Sequence, residues 1–191
     1  MVEFPKLRRG DLTSDEQRDL WDDIVEGPRR ASMGVPTAEL GGPFNAWLQI
    51  PSFGLIGSKM GERLRFGSLL GGRERELAIL TVGAHWKAEY EFWAHARMAR
   101  AEGLPEAIIE ALRTGAPPPY ENEIQRLVHE ATRDLLRTGR IGDELHRAAS
   151  EALGYPRLVE LVSLVGYYCL VSFTLNVADA RLPEGESPVW P

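Results

Sequence analysis

Cysteine is almost missing from this chain: 191 residues hold one, Cys169. A single thiol builds no disulfide framework and suits a reducing compartment. Long apolar runs are missing as well. The longest candidate, 158–177, is interrupted by Glu160, Ser163, Gly166, Ser172 and Asn176, so it reads as a core helix and no membrane partner is expected. The opening MVEFPKLRRG has no apolar h-region, so no signal peptide is expected and the protein is placed in the cytoplasm. Excess positive charge is lacking: 22 Lys and Arg face 28 Asp and Glu, a net charge of −6, which argues against a nucleic-acid partner. The local basic spots Arg29-Arg30 and Arg63/Arg65 read as solvated surface arginines, with binding of a small carboxylate as the sharper alternative. Period-two alternation is nearly absent, which argues against sheet. Internal repeats and low-complexity segments are absent too.

What is present is an ordinary globular composition, 43% hydrophobic and 26% charged, in a length that suits one domain over 1–191. Helical periodicity dominates and predicts an all-α domain. Thr13 and Glu16 form a capping box for a first helix to about Glu26, which Gly27-Pro28 stops. Residues 33–46 read as an irregular connection that packs over something, within an N-terminal segment 1–51. A helix follows over about 52–70, then Gly71-Gly72 and a helical hairpin over about 72–102. Leu104-Pro105 opens the C-terminal helices of 105–180: a short one ended by Gly115, an amphipathic one from Tyr120 to about Thr138, one from Asp143 to about Leu153, and a long final helix from Pro156. The tail 183–191 is expected to be extended and to wrap a neighbour. Small residues on the last helix (Ser163, Gly166, Ser172, Ala178) beside Tyr167, Tyr168 and Phe173 fit either core packing or a subunit interface.

The chemistry concentrates in Arg73–His95, RERELAILTVGAHWKAEYEFWAH. Glu91 and His95 are four apart, so a helix puts them on one face as an acid/base pair. In an unbroken helix Glu76 would lie about 28 Å from His95. A break near Gly83–Lys87, with the turn centred at 85–86, brings the two opposite each other across a hairpin.

The spacing of Glu76, Ala88, Glu91 and His95 resembles the carboxymuconolactone decarboxylase and alkylhydroperoxidase-D-like superfamily, whose redox members carry Glu, then Cys-x-x-Cys-x-x-x-His. The Glu falls on Glu76 and the His on His95, while the cysteines fall on Ala88 and Glu91. GPFNAWL (Gly42–Leu48), RFG (Arg65–Gly67), HARMARAEGLP (His95–Pro105) and GYYCLVSFTLN with LPEG (Gly166–Gly185) look like cysteine-free, single-domain members. The resemblance implies a helical bundle with a central hairpin, assembled as a homo-oligomer, trimer or hexamer. It implies a cofactor-free lyase similar to 4-carboxymuconolactone decarboxylase, acting on a small carboxylated lactone or keto acid. A dithiol peroxidase is excluded, because no resolving thiol exists. Cys169, in the apolar run 164–175, reads as a buried small hydrophobe.

His95 is the first candidate for catalysis, since imidazole moves protons near neutral pH; the bland alternative is a hydrogen-bonded core histidine beside Trp93 and Met98. Glu76 orients it, against a reading as a solvated first-turn acid. Glu91 supplies a proton or destabilises a substrate carboxylate. Tyr90, His85 and Trp93 are candidates for lining the substrate pocket, although helix aromatics are more often core and His85 stands at the turn. Arg73 or Arg97 would bind the acid, with pairing inside the helices as the alternative. His129 and His146 read as structural or exposed. Glu91 and His95 with Glu76 and His85 make a conceivable metal set, but no HExxH appears, and no metal or other cofactor is expected. The rival functions are an isomerase, hydratase or lactone hydrolase on the same fold, or a non-catalytic binding or scaffold oligomer.

Overall fold

The computed structural model describes residues 4–29 and 39–190, so Arg30 and the first part of the irregular connection lie outside the described residues. Eight α-helices appear among those residues, and no strand beyond one isolated bridge between Arg8 and Glu39. They are α1 (Asp15–Glu26), α2 (Phe44–Trp47), α3 (Pro51–Phe66), α4 (Gly72–His85), α5 (Glu89–Ala101), α6 (Glu106–Thr114), α7 (Glu123–Thr138) and α8 (Asp143–Val177). The fold is all-α. The described residues divide into two compact units: one through 67 with 174–180, the other 68–173 with the tail from 181.

In the first unit α1 and α2 pack on α3. A Cβ at Gly54 would meet Leu20 Cδ2 at 2.6 Å and Trp47 Cβ at 2.9 Å, so the glycine lets α3 approach both. The cap of α1 lies one residue later than expected. Ser14 accepts from Gln17 N, and the Gln17 side chain accepts from the Ser14 N–H in return. Within the connection, Phe44–Trp47 coils into one helical turn that buries Trp47. Arg29 departs from the solvated reading. It is buried, donates to Ser58 Oγ (3.0 Å) and the Ser58 carbonyl (2.8 Å), and lies over the Phe44 ring. Those acceptors replace the water that the guanidinium gives up.

In the second unit α4 is the central element, packed against α5, α6 and α7. Every residue from Glu76 to Gly83 is buried, as expected of a helix surrounded on all sides. The hairpin breaks at 86–88, where Lys87 adopts φ 50°, slightly later than the 85–86 centre expected. Gly83 stays helical and faces Phe92, whose backbone nitrogen would lie 3.5 Å from a Cβ there. Glu160 of α8 accepts from the Ser68 hydroxyl and from Leu69 N (2.7 Å), which fixes the entry to α4.

The 35 residues of α8 form two helical stretches joined at Gly154. That glycine has φ 72° and ψ 157°, a backbone region essentially closed to residues with a Cβ, so the expected pair of helices on either side of Pro156 is real. An eighteen-residue window of α8 has mean hydropathy 1.8, which by length and composition alone matches a membrane span. The buried core helix of a globular domain meets the same measure, because averaging absorbs the small polar residues. Just over half of the window is buried inside the fold. In the second unit its outward row is Tyr155, Val159, Val162, Leu170 and Phe173, all exposed. The tail makes contacts on its own chain. Val189 N donates to Glu89, the Trp190 indole donates to the Arg113 carbonyl, and its ring packs on Phe92.

Candidate active site

Helical spacing and the 86–88 turn bring together three buried ionisable side chains. Glu76 is 1% exposed, Glu91 4% and His95 5%. His95 Nδ1 lies 2.7 Å from Glu76 Oε2 in hydrogen-bonding geometry. His95 Nε2 lies 3.2 Å from Glu91 Oε1, at ion-pair distance but without the alignment of a hydrogen bond. Glu76 Oε1 accepts from Arg75 Nε at 3.2 Å, and the other arm of Arg75 reaches Glu102 at 2.9 Å. The Arg75 guanidinium beside Glu76 favours its carboxylate form, which assigns the proton of the His95 pair to Nδ1. Nε2 is then the atom that gives or takes a proton on the Glu91 side. The Tyr168 ring stands edge-on to His95 at 5.0 Å and closes the other side of the imidazole.

Of the residues expected at this site, Glu76, Glu91 and His95 converge. Tyr90 and Trp93 pair with each other, ring centroids 5.5 Å apart, and Trp93 borders a cavity of about 730 Å³ with Phe92, Ala96 and Arg97. His85 stands nine residues beyond Glu76, half a turn around α4 and about 13 Å along it, and opens onto a different cavity. It therefore cannot join Glu76 around a single ion. Arg73 pins Glu121 and the Glu102 carbonyl, and Arg97 lies over the Trp93 ring, so each is engaged in packing. Two further contributors carry no signal in the sequence. Arg75 adjoins Glu76, a spacing that ordinarily points side chains apart. Tyr168 lies on another helix, and nothing local links it to His95. Cys169 accepts from the Trp86 indole at 3.3 Å, and burial pushes its thiol up, away from the reactive thiolate.

A second histidine is also buried. His129 is 4% exposed, and its Nδ1 lies 2.6 Å from the Tyr120 hydroxyl. Burial, helped by the charge of Arg133, lowers its pKa from 6.5 to about 4. Burial raises that of Tyr120, so the phenol keeps its proton. Since the folded state disfavours the imidazolium, this stabilisation is full above pH 6.5 and lost as pH falls towards 4. The difference corresponds to about 3 kcal/mol. Urea unfolding at pH 7 and pH 4 is expected to show wild type losing up to about that much more stability than His129→Gln. Equal losses would show that His129 is not held neutral.

No family model matches the chain, and no curated protein matches it.

Proposed function

We propose that the protein is a cofactor-free lyase resembling the carboxymuconolactone decarboxylases, removing CO2 from a small acid activated by a neighbouring carbonyl or unsaturated lactone. The observation that carries this reading is one imidazole bracketed by two buried carboxylates, at 2.7 and 3.2 Å. Breaking the bond to the carboxylate sends its electron pair into the carbonyl system as an enolate, which must then take a proton at carbon. A protonated Glu91 carboxyl passes its proton through His95 Nε2 to that carbon, Glu76 and Arg75 hold the ring in place, and Glu91 regains its proton from solvent. The contact at Nε2 is loose, as expected of a proton-transfer pair before substrate aligns it. Lack of a second cysteine supports acid/base chemistry over dithiol peroxide reduction.

The exposed apolar row on α8 supports a homo-oligomeric working form. One observation favours a non-catalytic reading: neither the cavity at Trp93 nor the one at His85 is lined by Glu76, Glu91 or His95, so the trio would then be a structural ion-pair network. A mass-spectrometric panel of carboxylated lactones and β-keto acids separates the two. Release of CO2 by the wild-type protein supports the lyase. Water addition or ring opening without CO2 loss moves the site to hydratase or hydrolase chemistry, and no turnover across the panel favours the scaffold.

A further inference from the structure

On the face of α4 turned away from Glu76 lies a cavity of about 770 Å³, bounded by α4, α6, α7 and the start of α8. Its walls are mixed and partly open: Ala84, Ala111, Leu112, Pro117, Leu136 and Leu145 supply apolar surface beside polar and charged side chains. The ionisable groups on it are of unequal availability. Arg137 is paired with Asp134 at 3.0 Å, Glu130 with Arg126, and Arg113 with Glu110. Arg133 makes no hydrogen bond or ion pair among the described residues. The Lys87 ammonium rests on the Trp190 ring with no carboxylate partner among them, and the His85 ring stands edge-on to Trp86. His129 completes the set. The Tyr120 hydroxyl lies 2.6 Å from Nδ1 and meets no other acceptor among the described residues; a phenol donates to an imidazole nitrogen more readily than it accepts from one, which assigns the ring proton to Nε2. That N–H belongs to a side chain almost wholly buried on the cavity wall, and no acceptor among the described residues meets it.

We propose that this cavity is a binding site for a small organic carboxylate with an apolar body, held by His129 Nε2–H and by the unpaired charges of Arg133 and Lys87. The apolar surface takes the body of the ligand, and the single buried donor with two cations takes its acid group. A carboxylate suits this better than a phosphate. Only one buried neutral donor is uncommitted, since the Thr81 hydroxyl donates to the Leu77 carbonyl, whereas a dianion with its tight hydration shell needs several donors to replace the water it loses. The site lies apart from the Glu76–His95–Glu91 cluster, so it stands whether or not that cluster is catalytic.

The test is titration of the intact protein with benzoate, benzamide and inorganic phosphate, followed by NMR at the His129 imidazole and by calorimetry. Benzoate is expected to bind saturably and shift the His129 signals. Benzamide, of the same shape but uncharged, and the Arg133→Gln variant with benzoate should each bind about tenfold more weakly, the weight of one charge-assisted contact. Arg133 is exposed, so that substitution leaves the fold intact. Equal binding of benzamide and benzoate would overturn the proposal, because charge would not be read. So would binding of phosphate alone, binding unchanged in Arg133→Gln, or no shift at His129 with any probe.

Discussion

Glutamine in place of His95 is expected to cut turnover of the acid identified by the panel by about 10²- to 10⁴-fold, the usual weight of one positioned acid/base group. The side-chain amide of glutamine can still donate towards Glu76, so the buried carboxylate keeps a partner and the fold is retained. It has no titratable nitrogen, so the proton for the enolate carbon must come from solvent. The loss should fall on kcat rather than KM, since His95 acts on the developing carbanion and not on the ground-state acid. The pH–rate profile should also lose the limb carried by the imidazole. Near-wild-type turnover by folded His95→Gln would end the assignment of His95 as proton donor, even if decarboxylation itself were established.

Glu76→Ala is expected to lower stability by about 3–5 kcal/mol, the cost of removing one partner from a buried charged network. The truncation leaves His95 Nδ1 without its acceptor at 2.7 Å and takes from Arg75 its contact at 3.2 Å. Glu76→Gln keeps an acceptor oxygen and should cost about 1–2 kcal/mol. Urea unfolding of the three proteins at pH 7 gives both differences. A loss under about 1 kcal/mol in Glu76→Ala would mean that water replaces the carboxylate, and that the site is more open than its burial indicates. Comparing the two substitutions also separates orientation from stability: a folded Glu76→Gln that is slow in turnover points to the carboxylate's hold on the imidazole.

Much of the hairpin was legible because its logic is arithmetic. Glu91 and His95 share a face at any helical register, and a turn within a narrow window sets Glu76 opposite His95. The helix stops at Gly115 and Gly139 were legible for a backbone reason: both residues adopt positive φ, at 78° and 71°. The first cap slips by one residue because TSDEQ contains two overlapping capping boxes, Thr13 with Glu16 and Ser14 with Gln17, and local sequence does not rank them. Arg29 looks solvated in the sequence because its acceptors come from Ser58 and its stacking partner is Phe44, both distant along the chain. Arg75 gives no signal because adjacent residues on a helix ordinarily diverge, and only the position of Glu102 bends its guanidinium back across Glu76. Tyr168 depends on packing between helices, and the Tyr120–His129 pair on how the chain enters α7, neither of which periodicity encodes. In α8, counting interruptions and averaging hydropathy weigh the same residues differently, and the average is high.

Two glycines of this chain should tolerate change in different ways. The space around Gly154 is open, with Pro156 Cδ the nearest atom to a would-be Cβ at 3.9 Å. Its constraint is therefore conformational and indifferent to what the new side chain is. At Gly54, where Leu20 and Trp47 crowd the same atom, the damage should grow with side-chain volume. In a saturation library the two positions would leave different fingerprints. Residue 154 should appear as a flat column of depletion in which alanine fares no better than tryptophan, and residue 54 as a gradient ordered by size.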